Sequence, residues 1–471
     1  MDFTDSLHEE CGVFGIYDPD KILDVAHISY TAMYALQHRG QESCGMVVNN
    51  NGLLYHHKDV GLVNEVFNEM ILRYLQGNIS ICHIRYAAGC PRGRDNTMPL
   101  VTKHTKGQIA FAHNGNIVNT EELTNSMVKR GAVFQTTSDA EVIAHVVLSE
   151  RLKTESTERA VINAMDYLVG AYSLLVLGTS KLIAARDPHG FRPMCLGKLG
   201  NATVIASESC AIDAIGGEFI RDILPGEVIV VDKNGITSHR DKCGKPSNLC
   251  IFEHIYFART DSIIDGASVH FSRKNAGKFL AKEHPVEADI VAGVPDSGID
   301  AAMGYAEESG IPYSIALVKN RYIGRTFIQA TQGQRETSVR IKLNPLSAVV
   351  KGKRVVLVDD SIVRGTTSAK LVSLLREAGA AEVHMRISSP PFLYPCYFGT
   401  DVDSQDNLIA CKMTIEEIRK ELGADTLGYL STKYLGDIAQ GSNVGFCTAC
   451  FTGKYTVPVP YDGGEKCAQN V

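Results

Sequence analysis

Residues 353–368 read KRVVLVDDSIVRGTTS, and the order of residue types in this stretch decides the architecture of the second half of the chain. The run 355–358 is continuously apolar and Val-rich, the pattern of a strand buried on both faces. It leads directly into two carboxylates, Asp359 and Asp360, and a loop carrying Gly365, Thr366, Thr367 and Ser368 then opens a helix. In open α/β sheets, ligands bind beyond the carboxyl ends of the strands. A glycine-containing loop at a helix start offers backbone N–H groups and hydroxyls suited to a phosphate. Adjacent carboxylates at that point can hold ribose hydroxyls or help bind Mg²⁺. The same pattern fits a plain strand-to-helix turn whose Asp and Thr cap the helix. A nucleotidase with the acidic pair in a Walker-B-like role is disfavoured, because no GxxxxGK[ST] occurs in the chain.

Outward from this stretch, 290–294 is a second short apolar strand, and 368–378 and 414–422 carry helical patterns. Alternating strands and helices with buried Val-rich strands predict a parallel α/β sheet. The first half differs. It has β-prone runs at 11–17, 108–112, 172–177 and 227–231, interrupted by helical patterns near 23–37 and 140–153. The polar stretch 233–248, KNGITSHRDKCGKPSN, reads as the linker, and the Pro/Gly-rich end from Tyr455 as a loosely held tail.

At 471 residues the chain exceeds one hydrophobic core, so two or three domains are expected. A hydrophobic content of 44% and a charged content of 21% are those of an ordinary globular protein. The formal charge of −6 gives no general reason to bind nucleic acid or an anionic membrane. The acidic start lacks the positive region of a secretory signal, and no apolar run reaches the ~18 residues of a membrane span. The expected location is the cytoplasm. The 13 cysteines are odd in number and scattered, unlike a secreted disulfide framework. Cys11, in HEECGVFGI, is either a small hydrophobe entering a strand or a nucleophile behind a removable leader. FCTACF at 446–451 holds a CxxC, which could be half a zinc ribbon, a redox pair or a cluster corner.

Taken together, VPDSG (294–298), KNRYIGRTFIQATQ (319–332) and VVLVDDSIVRGTTS resemble the glutamine phosphoribosylpyrophosphate amidotransferases. So do ECGVFGI, ALQHRGQES (35–43), HNGNIVN (113–119), TTSDAEVI (136–143) and RDPHGFRPM (186–194), in the family's order over nearly the whole chain. The resemblance implies a mixed α/β and α+β fold. An N-terminal-nucleophile hydrolase αββα sandwich at 11–240 follows a cleaved propeptide at 1–10. A type I phosphoribosyltransferase domain with a C-terminal cluster-binding segment occupies 241–471. It implies that Cys11 attacks glutamine while Asn114 and the Gly115 N–H hold the oxyanion, with Arg85 and Asp139 on the substrate's α-carboxylate and α-amine. In the second domain it implies that Ser297, Asp359 and Asp360 hold Mg²⁺ and ribose. Ser361, Arg364, Gly365, Thr366, Thr367 and Ser368 would wrap the 5-phosphate, and Lys319 with the loop 321–335 would cover the pyrophosphate as a lid.

The resemblance further implies that Cys250, Cys396, Cys447 and Cys450 carry one [4Fe–4S] cluster, as in the cluster-bearing branch of the family. No redox step is needed, so the cluster reads as structural. The other cysteines default to filler. Expected partners are glutamine, 5-phosphoribosyl diphosphate and inhibitory purine nucleotides, in a homotetramer. The chain departs from the pattern at Ala88, where a glutamine-binding hydroxyl is usual, at Ala330 in place of Pro, and at Thr260 and Thr456. Loss of one neutral hydrogen bond costs about 0.5–1.5 kcal/mol, so weakened glutamine binding is expected. Two other readings follow: a paralogue with a failing glutaminase that uses free ammonia, and a purine-sensing regulator. The regulator lacks any basic helix-turn-helix pattern.

Overall fold

The computed structural model describes residues 11–86, 93–320, 343–402 and 404–460. Two antiparallel sheets fill the first half. The first has seven strands, in the order Glu218–Asp222, Cys195–Leu199, Ala202–Ala206, Gly12–Tyr17, Ile79–Arg85, Ser43–Asn50 and Leu53–Val60. The second has six, in the order Gly235–His239, Val228–Asp232, Leu182–Arg186, Gly170–Leu177, Gly107–Ile117 and Leu100–His104.

Strand alternation sets the layers. In Gly12–Tyr17, Val13 joins Leu175 and Leu182 of the second sheet, whereas Phe14 and Ile16 face outward onto helix Val25–Ala35. In the second sheet, Phe111, Leu174 and Ile183 turn outward onto helices Asp139–Lys153 and Thr157–Ala164. The result is the expected helix–sheet–sheet–helix sandwich.

The second half holds a four-stranded parallel sheet, ordered Ile290–Gly293, Arg354–Asp359, Glu382–Ile387 and Thr426–Tyr429. Val356 and Val358 pack with Leu280 and Tyr305 on one face, and Val355 and Leu357 with Leu371 and Leu375 on the other. Burial on both faces is why this run carries no polar alternation. Among the described residues, no helix is long and apolar enough to cross a membrane.

Two sequence expectations are corrected. The stretch 233–248 is not wholly a linker, because Gly235–His239 pairs with Val228–Asp232 as an edge strand. Lys233 and Asn234 form a two-residue connection between paired Asp232 and Gly235, so a hairpin hides in polar composition. Residues 455–460 are not loosely held either. The Tyr455 hydroxyl donates to the Pro395 carbonyl at 2.7 Å, and Tyr455, Val457 and Val459 pack around Phe191 and Phe398.

Candidate functional site

The strand register places Cys11. Gly12 pairs with Ile84, so Cys11 sits just before its strand, beside the end of Ile79–Arg85. Its thiol lies 3.6 Å from the Tyr86 carbonyl, and its own carbonyl accepts the Arg39 Nε–H at 3.0 Å. His83 points across to the second sheet, where its Nε2 meets the His113 carbonyl at 3.1 Å. That contact brings the 113–115 segment to the same end of the sandwich as Cys11 and the buried Arg85. The strand Gly107–Ile117 runs further than the 108–112 expected, because Asn114 and Gly115 continue the ladder opposite Ser173 and Tyr172.

Asn114 is buried, and among the described residues its Nδ2 has no hydrogen-bond partner. A buried amide left unpaired is costly, and this one is a ready donor for a developing negative charge. Gly115 has φ +135°, and a Cβ added there would lie 2.2 Å from the Ala171 carbonyl oxygen. Only glycine fits that backbone.

Asp139 opens helix Asp139–Lys153. One carboxylate oxygen lies 2.9 Å from His113 Nε2, and the other accepts the Ile117 N–H at 3.2 Å. Burial pushes the Asp139 carboxyl up, but His113 and the backbone N–H groups of Ile117 and Ala140 outweigh it and hold it below the usual range. His83 is held well below the ordinary imidazole value, first by burial and then by His113 and Arg85, so it stays neutral. Neither histidine was singled out in the sequence, although His113 immediately precedes Asn114.

At the second site, strand Arg354–Asp359 delivers Asp359 and Asp360 to the carboxyl edge of the parallel sheet, both buried. Ser297 and Ser361 each donate a hydroxyl hydrogen bond to Asp360. Asp359 is pushed well up by burial and by the Asp360 charge. Asp360 is also raised by burial, against the pull of the two serines and Arg273. Two buried carboxylates with hydroxyls around them suit a cation that also takes substrate oxygens and water. Among the described residues, no three His, Cys, Asp or Glu side chains are placed to hold a single ion by themselves.

Gly365, at φ +87°, caps helix Thr366–Glu377, which starts with Thr366 and Thr367 and buries Ser368; Arg364 precedes the turn. Lys319 ends strand Leu317–Lys319, and its Nζ lies 2.6 Å from an Asp296 oxygen, next to Ser297. The leader 1–10, Ala88, the loop 321–335 with Ala330, and residues 461–471 lie outside the described residues.

Three separate segments bring the four cysteines together. Cys250 and Cys447 are opposite each other in a short parallel ladder. Burial lifts the Cys450 thiol well above its ordinary value, as do Cys396, Cys250 and Cys447 around it. Cys447 is pushed up to about 12, mainly by burial, with Cys396 adding to it. Thiolates are the donors that a [4Fe–4S] cluster takes, but among the described residues no three of these four cysteines are placed to hold a metal ion by themselves. Cys44, Cys82, Cys195 and Cys210 are buried filler as expected, whereas Cys411 is disulfide-bonded.

Residues 91–214 match the glutamine amidotransferase domain, and residues 270–388 the phosphoribosyl transferase domain. Fold and sites therefore define a two-domain protein that joins an amidotransferase to a phosphoribosyltransferase. The amidophosphoribosyltransferase of Bacillus subtilis (strain 168) is 47% identical over 461 residues, covering 97% of this chain and 96% of its own length. That of Methanocaldococcus jannaschii is 46% identical, covering 96% and 98%. A solved structure of the B. subtilis glutamine phosphoribosylpyrophosphate amidotransferase, complexed with ADP and GMP, superposes with a TM-score of 0.89, at 47% identity, over 96% of this chain and 98% of that one. The chain belongs to the amidophosphoribosyltransferase family, pentosyltransferases of purine biosynthesis.

Proposed function

We propose that the two sites run one coupled reaction. Cys11 attacks the amide carbon of glutamine, the Asn114 amide and the Gly115 N–H receive the oxyanion, and a glutamyl thioester forms as ammonia leaves. Water then releases glutamate. Arg85 holds the α-carboxylate and Asp139 the α-amine through charge-assisted hydrogen bonds. Removal of residues 1–10 gives Cys11 a free α-amine, with an ordinary pKa of about 7.7–8.0, as its own base.

Ammonia passes internally to the second site and displaces diphosphate from C1 of 5-phosphoribosyl diphosphate, giving 5-phosphoribosylamine. There Ser361, Arg364, Gly365, Thr366, Thr367 and Ser368 hold the 5-phosphate, and Lys319 faces the leaving diphosphate. Ser297, Asp359 and Asp360 are the residues for Mg²⁺, which when bound offsets charge on the diphosphate. Cys250, Cys396, Cys447 and Cys450 hold a structural [4Fe–4S] cluster. We assign the domains to 11–240 and 241–471, the assembly to a homotetramer, the location to the cytoplasm, and feedback inhibition to purine nucleotides.

The observation that supports this reading most directly is the buried, unpartnered Asn114 Nδ2 on the strand that His83 ties to the Cys11 end of the sandwich. The test is glutamate release from glutamine by anaerobically purified protein, with and without 5-phosphoribosyl diphosphate and Mg²⁺, and with Cys11→Ala as control. Release that depends on Cys11 and rises with the second substrate supports coupling. Diphosphate production from ammonium without glutamate release would instead favour a failed glutaminase.

A further inference from the structure

Neither proposed site uses the ion network buried behind Cys11. Every nitrogen of the Arg39 guanidinium is committed. Nε donates to the Cys11 carbonyl at 3.0 Å, Nη1 to Glu208 at 2.6 Å and to Glu253 at 2.8 Å, and Nη2 to Glu253 at 2.8 Å. All three side chains are fully buried. Glu208 belongs to the first half of the chain, two residues beyond strand Ala202–Ala206. Glu253 belongs to the second half and opens the π-helical turn Glu253–Phe257, three residues after Cys250. Glu208 also accepts the Ser262 hydroxyl at 2.7 Å and the Arg259 N–H at 2.9 Å, both from the second half.

The same half touches the oxyanion strand independently. The Asn116 amide donates to the Tyr397 carbonyl at 2.9 Å. A Cβ added to Gly399 would lie 3.5 Å from the Gly115 carbonyl carbon. The second half thus reaches the nucleophile through one contact and the oxyanion segment through another.

We propose that Arg39, locked in place by Glu253, is a positioning residue for the nucleophile, so that the second domain sets Cys11 by docking on the first. Cys11 lies outside the strand ladder, and its carbonyl is the handle by which a rigid fork can orient it. A guanidinium fork fixes direction in a way a flexible ammonium does not. Arg39 meets Cys11 at its carbonyl oxygen rather than at the thiol in this contact, and its effect runs through Cys11. The proposal rests on the reading of Cys11 as nucleophile.

The test uses Glu253→Gln, which keeps the shape and removes the charge, and Arg39→Lys, which keeps the charge and removes the fork. Both are made in the full chain beside wild type and Cys11→Ala. The readouts are kcat and KM for glutamate release, the rate of Cys11 alkylation by iodoacetamide followed by peptide mass, ammonium-dependent diphosphate release, and Tm. We expect kcat for glutamate release to fall about tenfold or more, the scale of a displaced reacting group. The glutamine KM and the ammonium-dependent rate should stay within about twofold, and Cys11 alkylation should change by a similar factor to kcat. An unchanged kcat overturns the proposal. So does parallel loss of both activities with a lowered Tm, which would make Glu253 a fold contact only. Wild type that lacks Cys11-dependent glutamate release defeats the nucleophile reading itself, before either variant is compared.

Discussion

His113 Nε2 lies 2.9 Å from an Asp139 carboxylate oxygen, joining the strand that carries Asn114 and Gly115 to the first residue of helix Asp139–Lys153. One carboxylate therefore braces the strand segment that carries Asn114 and Gly115, while its side chain stays 15% exposed. The helix N-terminus adds a favourable field for its negative charge.

Asp139→Asn should raise the glutamine KM roughly 10- to 100-fold, the worth of about 1.5–3 kcal/mol for a hydrogen bond to a charged group. Ammonium-dependent synthesis should be untouched. The carboxyl is held below its ordinary value, so its contribution is present above the unfolded pKa and is lost only as pH falls through the lower folded one. Steady-state kinetics in wild type should accordingly show no Asp139-linked rise in KM between pH 5 and 8. A KM that climbs steeply below about pH 6 would contradict this assignment.

Asn114→Ala removes a buried amide donor that has no hydrogen-bond partner among the described residues. Its kcat for glutamate release should fall about 10²- to 10³-fold with a small change in KM. Gly115→Ala should be at least as damaging, since the added methyl meets the Ala171 carbonyl oxygen. Circular dichroism and ammonium-dependent turnover separate local loss from misfolding.

Asp360→Asn weakens the paired-carboxylate site while leaving its Ser297 and Ser361 neighbours in place. Diphosphate release should drop at least about 10²-fold, whether ammonia comes from glutamine or from ammonium. Chelation of Mg²⁺ from wild type should do the same and leave basal Cys11-dependent glutamate release measurable. Full diphosphate release in excess EDTA would defeat the Mg²⁺ assignment.

Asp222 is pushed up to about 6 by burial and by the charge of Asp265, which itself forks onto Arg186 at 2.7 and 2.8 Å. The folded pKa exceeds the unfolded value, so this stabilisation is complete below about pH 4 and is lost as pH rises through about 6. Asp222→Asn removes the cost of a buried charge. Thermal unfolding should give the variant a higher Tm than wild type at pH 8 and nearly the same Tm at pH 4.5. An equal shift at both values would exclude titration as the cause.

Much of the architecture was legible because it is local. The run 355–358, its two aspartates and the glycine loop specify strand, ligand edge and helix start within sixteen residues, and each side chain acts on near neighbours. Thr414 and Glu417 mark a helix start just as directly through a reciprocal cap. Where composition misled, periodicity was masked by chemistry. Gly235–His239 is a polar edge strand, and Val457 and Val459 fasten a segment rich in Pro and Gly.

The sequence by itself therefore determined the amidotransferase and phosphoribosyltransferase classes of its two halves, and it pointed to Cys11, Asn114, Asp359 and Asp360 as the candidates for chemistry. Tertiary structure alone decided that Arg39 meets Glu208 and Glu253, 169 and 214 positions away, and that His113 braces Asp139. The reason is physical. Strand and helix patterns arise from side chains a few residues apart, whereas a buried ion pair exists only where strand order and domain docking bring its charges out of water together.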